Sequence, residues 1–302
     1  MKSVRVLPPI AEALAKGRGV VALESSVLAQ GLPIPANAEA ARRMVEAVER
    51  EGAVPAVTGV VAGIPAMGLT NEELTRFLGR EGVVKASSRD LGSVIARGRD
   101  GSTTVAAALT LCRATGVRVF ATGGIGGVHH EPRFDESADL VELARSPIIV
   151  VCAGAKSILD LPATVERLET LGVTVVGYRT DHFPGFFFAS SGIRVPVRAD
   201  SVQEIVATFR GQQLVGHQGA LLVVQPPPAE DALARDEVET AVSGALTEGR
   251  SAGIRGGAIT PYLLAAVEKA TQGRSTSVNL SLLAANARLA AAISVELGVL
   301  QP

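Results

Sequence analysis

Ile148-Ile149-Val150-Val151-Cys152-Ala153-Gly154-Ala155-Lys156 carries five apolar residues in a row, two small residues around a glycine, and then a lysine. A strand with one wet face alternates apolar and polar positions. A run that is apolar at every position reads as a central strand covered on both sides, the usual state of strands in a parallel sheet. Similar short β-branched runs flank it, at Gly19–Leu23, Pro55–Val61, Val83–Ser87, Val117–Thr122, Val173–Tyr178 and Leu221–Val224. Helical patterns fall between them. Ala41, Met44, Val45 and Val48 share one face of Asn37–Glu51, with Gly52 beyond it. Thr70 and Glu73 are spaced as a capping box, as are Ser201 and Glu204. An Ala-rich helix is predicted over Thr103–Thr115, and Pro162 suits the first turn of a helix running to Gly172. This alternation predicts an α/β fold with a mostly parallel or mixed central sheet and helices on both faces. The expected organisation is a single large domain over 1–302, mostly helical from about residue 229. Pro226-Pro227-Pro228 is read as a stiff connector within it, the other reading being a boundary.

Composition narrows the function. The 302 residues are 47% hydrophobic and 20% charged, which supports a large core and excludes general disorder. Twenty-nine basic and thirty acidic residues leave a formal net charge of −1, with no basic stripe for nucleic acid. Cys112 and Cys152 suggest a reducing compartment rather than a disulfide framework. The first ten residues, MKSVRVLPPI, lack a secretory apolar segment, and the longest apolar stretch, Pro147 to Ala155, is far short of the roughly 18 residues of a spanning helix. A cytoplasmic enzyme with a small-molecule substrate, no nucleic-acid partner and no membrane partner is expected.

In open α/β sheets, ligands sit beyond the carboxyl ends of the strands. Glu24 ends the first long strand in V-A-L-E-S-S; it reads either as a carboxylic acid raised in pKa by apolar surroundings or as the cap of a neighbouring helix. Lys85, in V-V-K-A-S-S-R-D, is a phosphate ligand or an ordinary surface lysine. Gly101-Ser102-Thr103-Thr104 opens a predicted helix, whose free N–H groups and hydroxyls would form an anion site. A-T-G-G-I-G-G-V-H, Ala121 to His129, departs from a dinucleotide fingerprint at its last position but provides a glycine loop that lets backbone approach a ligand. Asp135, Ser137 and Asp139 in F-D-E-S-A-D-L suit a hard divalent ion, unless Asp135 caps the following helix. Lys156, behind the most apolar strand, is either a desolvated nucleophilic amine or a paired structural lysine. Asn279 and Asn286 lie on a late amphipathic helix; either reads as a site residue or as a satisfied surface or cap residue, and sequence alone does not choose.

Taken together, V-A-L-E-S-S with G-L-P-I-P-A-N, G-A-V-P-A, K-A-S-S-R-D-L, A-T-G-G-I-G-G-V-H, F-D-E-S-A-D-L and A-G-A-K-S-I-L-D-L resemble the pseudouridine-5′-phosphate glycosidase, or indigoidine synthase A-like, family in order and spacing. T-P-Y-L-L and S-V-N-L-S extend the resemblance toward the C-terminus. It implies reversible cleavage of pseudouridine 5′-phosphate to uracil and ribose 5-phosphate, a divalent cation (typically Mn²⁺) and a homotrimer. It also implies Lys156 as nucleophile, Glu24 as proton donor and Asp135 as metal ligand. Lys85, Val105, Ser137, Ala138 and Asp139 match substrate-contact positions, and Asn279 matches a further one. Thr104, Thr122 and His129 are added here as pocket residues. Several positions depart from the family pattern: Ser26 stands for a threonine, Gln30 for a histidine, His130–Arg133 is short, and Gly256-Gly257-Ala258 replaces charged residues. The rival readings are a lysine-dependent sugar-phosphate aldolase, a nucleotide-binding module without catalysis, and modification of RNA itself. The last is disfavoured by the neutral charge.

Overall fold

A computed structural model describes residues 4–131, 134–254 and 259–299. Its strands are β1 (Arg5–Val6), β2 (Val20–Leu23), β3 (Val54–Val61), β4 (Ile64–Met67), β5 (Val83–Ala86), β6 (Asp100–Thr103), β7 (Val119–Ala121), β8 (Ile149–Cys152), β9 (Thr174–Tyr178), β10 (Val197–Ala199) and β11 (Leu221–Val224). The helices are α1 (Pro8–Ala15), α2 (Ala36–Arg50), α3 (Asn71–Gly79), α4 (Leu91–Ala96), α5 (Val105–Thr115), α6 (Ala138–Ala144), α7 (Leu161–Thr170), α8 (Val202–Leu214), α9 (Arg235–Ser251), α10 (Ile259–Ala270) and α11 (Arg274–Val299).

Among the described residues these strands form one sheet in the order β1-β4-β3-β2-β7-β8-β11-β9-β10, with β6 pairing both β3 and β5. The expected α/β class is observed. The pairings are parallel except β3–β4 and β3–β6, so the sheet is mixed. β8 pairs with both β7 and β11 in parallel register, and every one of its residues is fully buried. This is the arrangement its unbroken apolar run implies. Strands β2 and β11 are buried along their whole length for the same reason.

The Thr70–Glu73 capping box forms completely. The one expected at Ser201 forms by half: the Ser201 hydroxyl accepts the Glu204 N–H, but the Glu204 carboxylate accepts the Asp200 N–H instead. Asp200 directly precedes the cap and competes for the same acceptor. Helix α11 is long and apolar enough to cross a membrane by length and composition. Its apolar residues are explained by packing, since it lies against α2, α8, β2, β7 and β8.

Sequence order along the sheet reverses between β2 and β7. Chain order runs outward from β2 through β3 to β4 on one side, and from β7 through β8 on the other. Such a reversal leaves a crevice beyond the strand ends, and the two segments flanking it begin at Glu24 and Thr122.

Candidate active site

Glu24 follows β2 directly and is 4% exposed. The Thr122 hydroxyl donates to its Oε2 (2.5 Å), and the Ser26 hydroxyl donates to Oε1. Both carboxylate oxygens are therefore held by side-chain hydroxyls, and the helix-cap reading of Glu24 is set aside. Ser26 keeps the hydroxyl that threonine would supply at this position. Two donors of this kind compensate a carboxylate for the water it loses on burial.

Lys156 stands four residues beyond β8, at the close of a loop bound to the glycine-rich segment. Its N–H donates to Ile125 O (3.1 Å), and Ala153 N–H donates to Gly123 O (2.8 Å). The Lys156 ammonium forms no ion pair or hydrogen bond among the described residues, which removes the paired structural reading. Gly154 has φ +80°, and a Cβ there would lie 2.1 Å from Pro184 O, so only glycine fits. Behind this loop, Phe183, Phe186, Phe187 and Phe188 form a buried turn. Ser157 Oγ donates to Gly185 O (2.5 Å), and Phe186 N–H donates to Ala153 O (3.0 Å). The aromatic cluster thus braces the lysine loop from behind. Burial pushes the Cys152 thiol up to about 12, so this cysteine is no competing nucleophile.

Lys85 lies within β5, opposite Ser102 of β6, rather than after the strand. The residue is exposed, yet desolvation lowers its pKa. The charge of Lys156 lowers it further, while Glu24 and Asp139 act in the opposite direction. Lys85 is therefore within electrostatic reach of Lys156, Glu24 and Asp139. Gln30 supports this edge: its Oε1 accepts the Ser102 hydroxyl (2.6 Å) and its Nε2 donates to Val83 O (3.3 Å). His129 is linked electrostatically to Lys156. Burial lowers its pKa, Asp135 raises it, and His130 and Lys156 lower it again.

The expected hydroxyl-rich anion site is corrected in part. Gly101, Ser102 and Thr103 belong to β6, not to a helix start. Ser102 is committed to Gln30, and Thr103 Oγ1 bonds with Thr58 Oγ1 (2.6 Å) inside the core. Only Thr104 caps α5, through Ala107 N–H. Val105 opens that helix with a buried side chain, which leaves its backbone as the part able to meet a ligand.

The F-D-E-S-A-D-L segment is partly structural. Asp139 is buried, and its carboxylate accepts Gly126 N–H (2.8 Å) and Ala106 N–H (2.9 Å), tying the glycine loop to the start of α5. Ser137 caps α6 by accepting the Asp139 N–H. Ala138 is the first residue of that helix. A Cβ at Gly126 would meet Ser137 Oγ at 2.3 Å, so the loop can approach this closely only as glycine. Of the three oxygen side chains expected to gather round a cation, only Asp135 stays outside these structural bonds. It does not cap the helix. Among the described residues no three His, Cys, Asp or Glu side chains form a cage. One carboxylate suits a hard cation that keeps most of its water, the habit of Mg²⁺ and similar ions.

Asn279 Oδ1, on α11, is buried with no hydrogen-bond partner among the described residues, a costly state for an acceptor unless a ligand completes it. It lies one turn before Leu283, which packs where a Gly123 Cβ would be. Asn286, two turns along the same face, bonds instead to the loop backbone. Pro132, Arg133 and Gly256–Ala258 lie outside the described residues. Asn286 holds the glycine loop, a part that its place in the sequence did not assign to it. Its available signal was an amide within a stripe formed by Leu282, Leu283, Ala287 and Ala290, all buried.

The sequence profile of the family described as indigoidine synthase A like protein matches residues 9–296. The chain belongs to this family. It is 58% identical over 293 residues to a pseudouridine-5′-phosphate glycosidase of Gemmatimonas aurantiaca, covering 97% of this chain and 96% of that one. A protein of the same name from Herpetosiphon aurantiacus is 46% identical over 299 residues, covering 98% and 99%. Among solved structures, the prealnumycin C-glycosynthase AlnA in complex with ribulose 5-phosphate superposes with a TM-score of 0.93 at 38% identity, covering 100% of this chain and 99% of that one. An indigoidine synthase A-like protein from Thermotoga maritima gives 0.89 at 36% identity, covering 98% and 97%.

Lys85 gives the family site a measurable pH signature. Between its lowered folded pKa and the ordinary lysine value, the unfolded chain holds a proton that the folded chain has released. Folded stability therefore rises with pH across that window, and below it the charged lysine costs stability. Lys85→Met is expected to raise the unfolding temperature at neutral pH without phosphate. It should also weaken phosphate affinity roughly 10- to 100-fold, the worth of one charge-assisted hydrogen bond. Calorimetric titration with phosphate and thermal unfolding check the pair; a lowered unfolding temperature would show that Lys85 is compensated in the free protein.

Proposed function

We propose that this protein cleaves the carbon–carbon glycosidic bond of pseudouridine 5′-phosphate reversibly, giving uracil and ribose 5-phosphate through an imine between Lys156 and the ring-opened sugar. The observation that carries this reading is an unpaired lysine and a buried hydroxyl-bound glutamate beyond the strand ends, with a second lysine on β5 within their electrostatic reach, in a chain so close to glycosidases of that name. The C-glycosynthase relative, whose structure holds a five-carbon sugar phosphate, supports the same substrate class.

The reaction explains why one lysine and one acid are needed. Common glycosidases protonate a leaving oxygen between two carboxylates. Pseudouridine offers no such heteroatom, because C1′ of the sugar is bonded to C5 of uracil. In the proposed sequence Glu24 gives its proton to the ring oxygen as the C1′–O4′ bond breaks, and the Lys156 amine forms a bond to C1′. The alkylated Lys156 nitrogen returns one proton to the Glu24 carboxylate, which delivers it to C5 of the base. The C1′–C5 bond breaks, its electrons restoring the C5–C6 double bond of uracil, while the nitrogen lone pair forms C1′=Nζ. Water adds to this imine and expels the lysine, releasing open-chain ribose 5-phosphate. Lys85 and the backbone at Val105 and Ala138 hold the phosphate end and restrain the freely rotating open chain. Ser137 and Asp139 shape the loop, Thr104 starts the helix beside it, His129 lines the wall, and Asn279 offers its acceptor to the base.

Asp135 is the residue that would hold Mn²⁺ or another divalent cation, which would supply positive charge near substrate oxygens. The homotrimer and cytoplasmic location implied by the family resemblance belong to the same proposal. Incubating the protein with pseudouridine 5′-phosphate and Mn²⁺ is expected to release uracil, detected by chromatography, and treatment with EDTA is expected to suppress it. Absence of uracil from folded, Mn²⁺-supplied protein would overturn the assignment. Undiminished turnover after EDTA would remove the cation from it.

A further inference from the structure

We infer that Asn286 is a positioning residue that holds Thr122, and through it Glu24, at a fixed distance from the Lys156 loop; the inference rests on the activity proposed above. Asn286 is 1% exposed on α11. Its Nδ2 donates to Thr122 O (2.8 Å) and Gly123 O (3.3 Å), and its Oδ1 accepts from Gln225 Nε2 (2.8 Å). Both N–H bonds and one lone pair of the amide are thereby used, which offsets the cost of placing it among alanines and leucines.

The partners of this amide lead to the ends of β2 and β8. Thr122 donates its N–H to Val151 O (3.1 Å) and its hydroxyl to Glu24 Oε2 (2.5 Å), and its carbonyl goes to Asn286. All its polar groups are committed, so its hydroxyl has one direction. Gly123 O is shared with Ala153 N–H, at the beginning of the loop that ends in Lys156. Gln225 donates its N–H to Cys152 O (3.1 Å), the last residue of β8. One side chain therefore joins the segments after β7, β8 and β11. Those segments position the acid and the nucleophile. Asn286 forms no bond to Glu24 or to Lys156, and its effect is exerted through backbone.

Misplacement of a catalytic group by about 1 Å can cost 100-fold in rate without weakening substrate binding. Asn286→Ala is accordingly expected to lower kcat about 10- to 100-fold with KM for pseudouridine 5′-phosphate within about threefold. Thr122→Val, which removes only the hydroxyl, is expected to lower kcat similarly. Because both act on Glu24 by one route, the double variant should be no slower than the slower single one. Multiplicative losses, or an Asn286→Ala variant with wild-type kcat, would overturn the inference. Asn286→Asp, nearly the same size, puts oxygen against two carbonyls and serves if the alanine variant does not fold. Amide hydrogen exchange at residues 122–125 separates this inference from the activity on which it rests. Protection there should fall in Asn286→Ala or Asn286→Asp whether or not the wild type releases uracil, and unchanged protection overturns the positioning role.

Discussion

Lys156→Ala is expected to lose turnover of pseudouridine 5′-phosphate by about four orders of magnitude or more, the scale seen when an enzyme's nucleophile is removed. The argument is chemical. Without an amine on C1′ there is no nitrogen lone pair to stabilise the carbon from which uracil departs, and neither acid nor phosphate contacts can replace it. Sodium borohydride added to wild-type protein with ribose 5-phosphate should reduce the imine and leave a stable adduct, located by peptide mass spectrometry at Lys156. The test is sharp because the site holds a second amine. That amine is Lys85, whose pKa is pushed below the ordinary lysine value by desolvation and by Lys156. Position separates them: Lys156 is on a loop pinned to the glycine segment and braced by the buried phenylalanines, whereas Lys85 lies on strand β5. An adduct mapping to Lys85, or an equally strong one in Lys156→Ala, would transfer the covalent role and end the present assignment.

Glu24→Gln is expected to lower kcat by roughly 10²- to 10⁴-fold, the usual contribution of a positioned general acid, with KM changed less than about threefold. The amide nearly matches the carboxylate in size, and its oxygen can still accept one of the Thr122 and Ser26 hydroxyl bonds. The other hydroxyl must turn to accept from the new NH₂ group. What the amide lacks is a proton to give the ring oxygen. Opening of the sugar should therefore become limiting, while phosphate binding through Lys85 persists. Stopped-flow measurement of the first turnover checks where the loss falls. A kcat within about threefold of wild type would remove Glu24 from the reaction, and a large rise in KM with unchanged kcat would make it a binding residue.

Much of this architecture could be read from single stretches of sequence. The apolar run at Ile149–Cys152 could only be a doubly covered strand, and the strand-end rule then led to Glu24 and Lys156. Local chemistry is also visible locally, as in the capping box at Thr70 and the N-terminal proline of α7. What sequence could not reveal was which polar groups would be consumed inside the fold. Ser102 and Thr103 looked like free hydroxyls at a helix start, but their partners Gln30 and Thr58 lie 72 and 45 residues away. Asp139 looked like a ligand oxygen, yet both its oxygens bind backbone N–H groups. Short elements such as β4 and β6 escaped as well, since four residues against an antiparallel neighbour carry too little periodicity to register.

The bond from Asn286 to Thr122 spans 164 residues of chain. Loops that depend on contacts so distant in sequence are completed late in folding, after the cost of closing the intervening chain has been met. During synthesis, β8 and the loop that ends in Lys156 leave the ribosome well before α11 follows them. A nascent chain should then expose a lysine and a flexible glycine loop without a working acid beside them. Thr122 and the glycine loop would be fixed against each other only when the last helix docks.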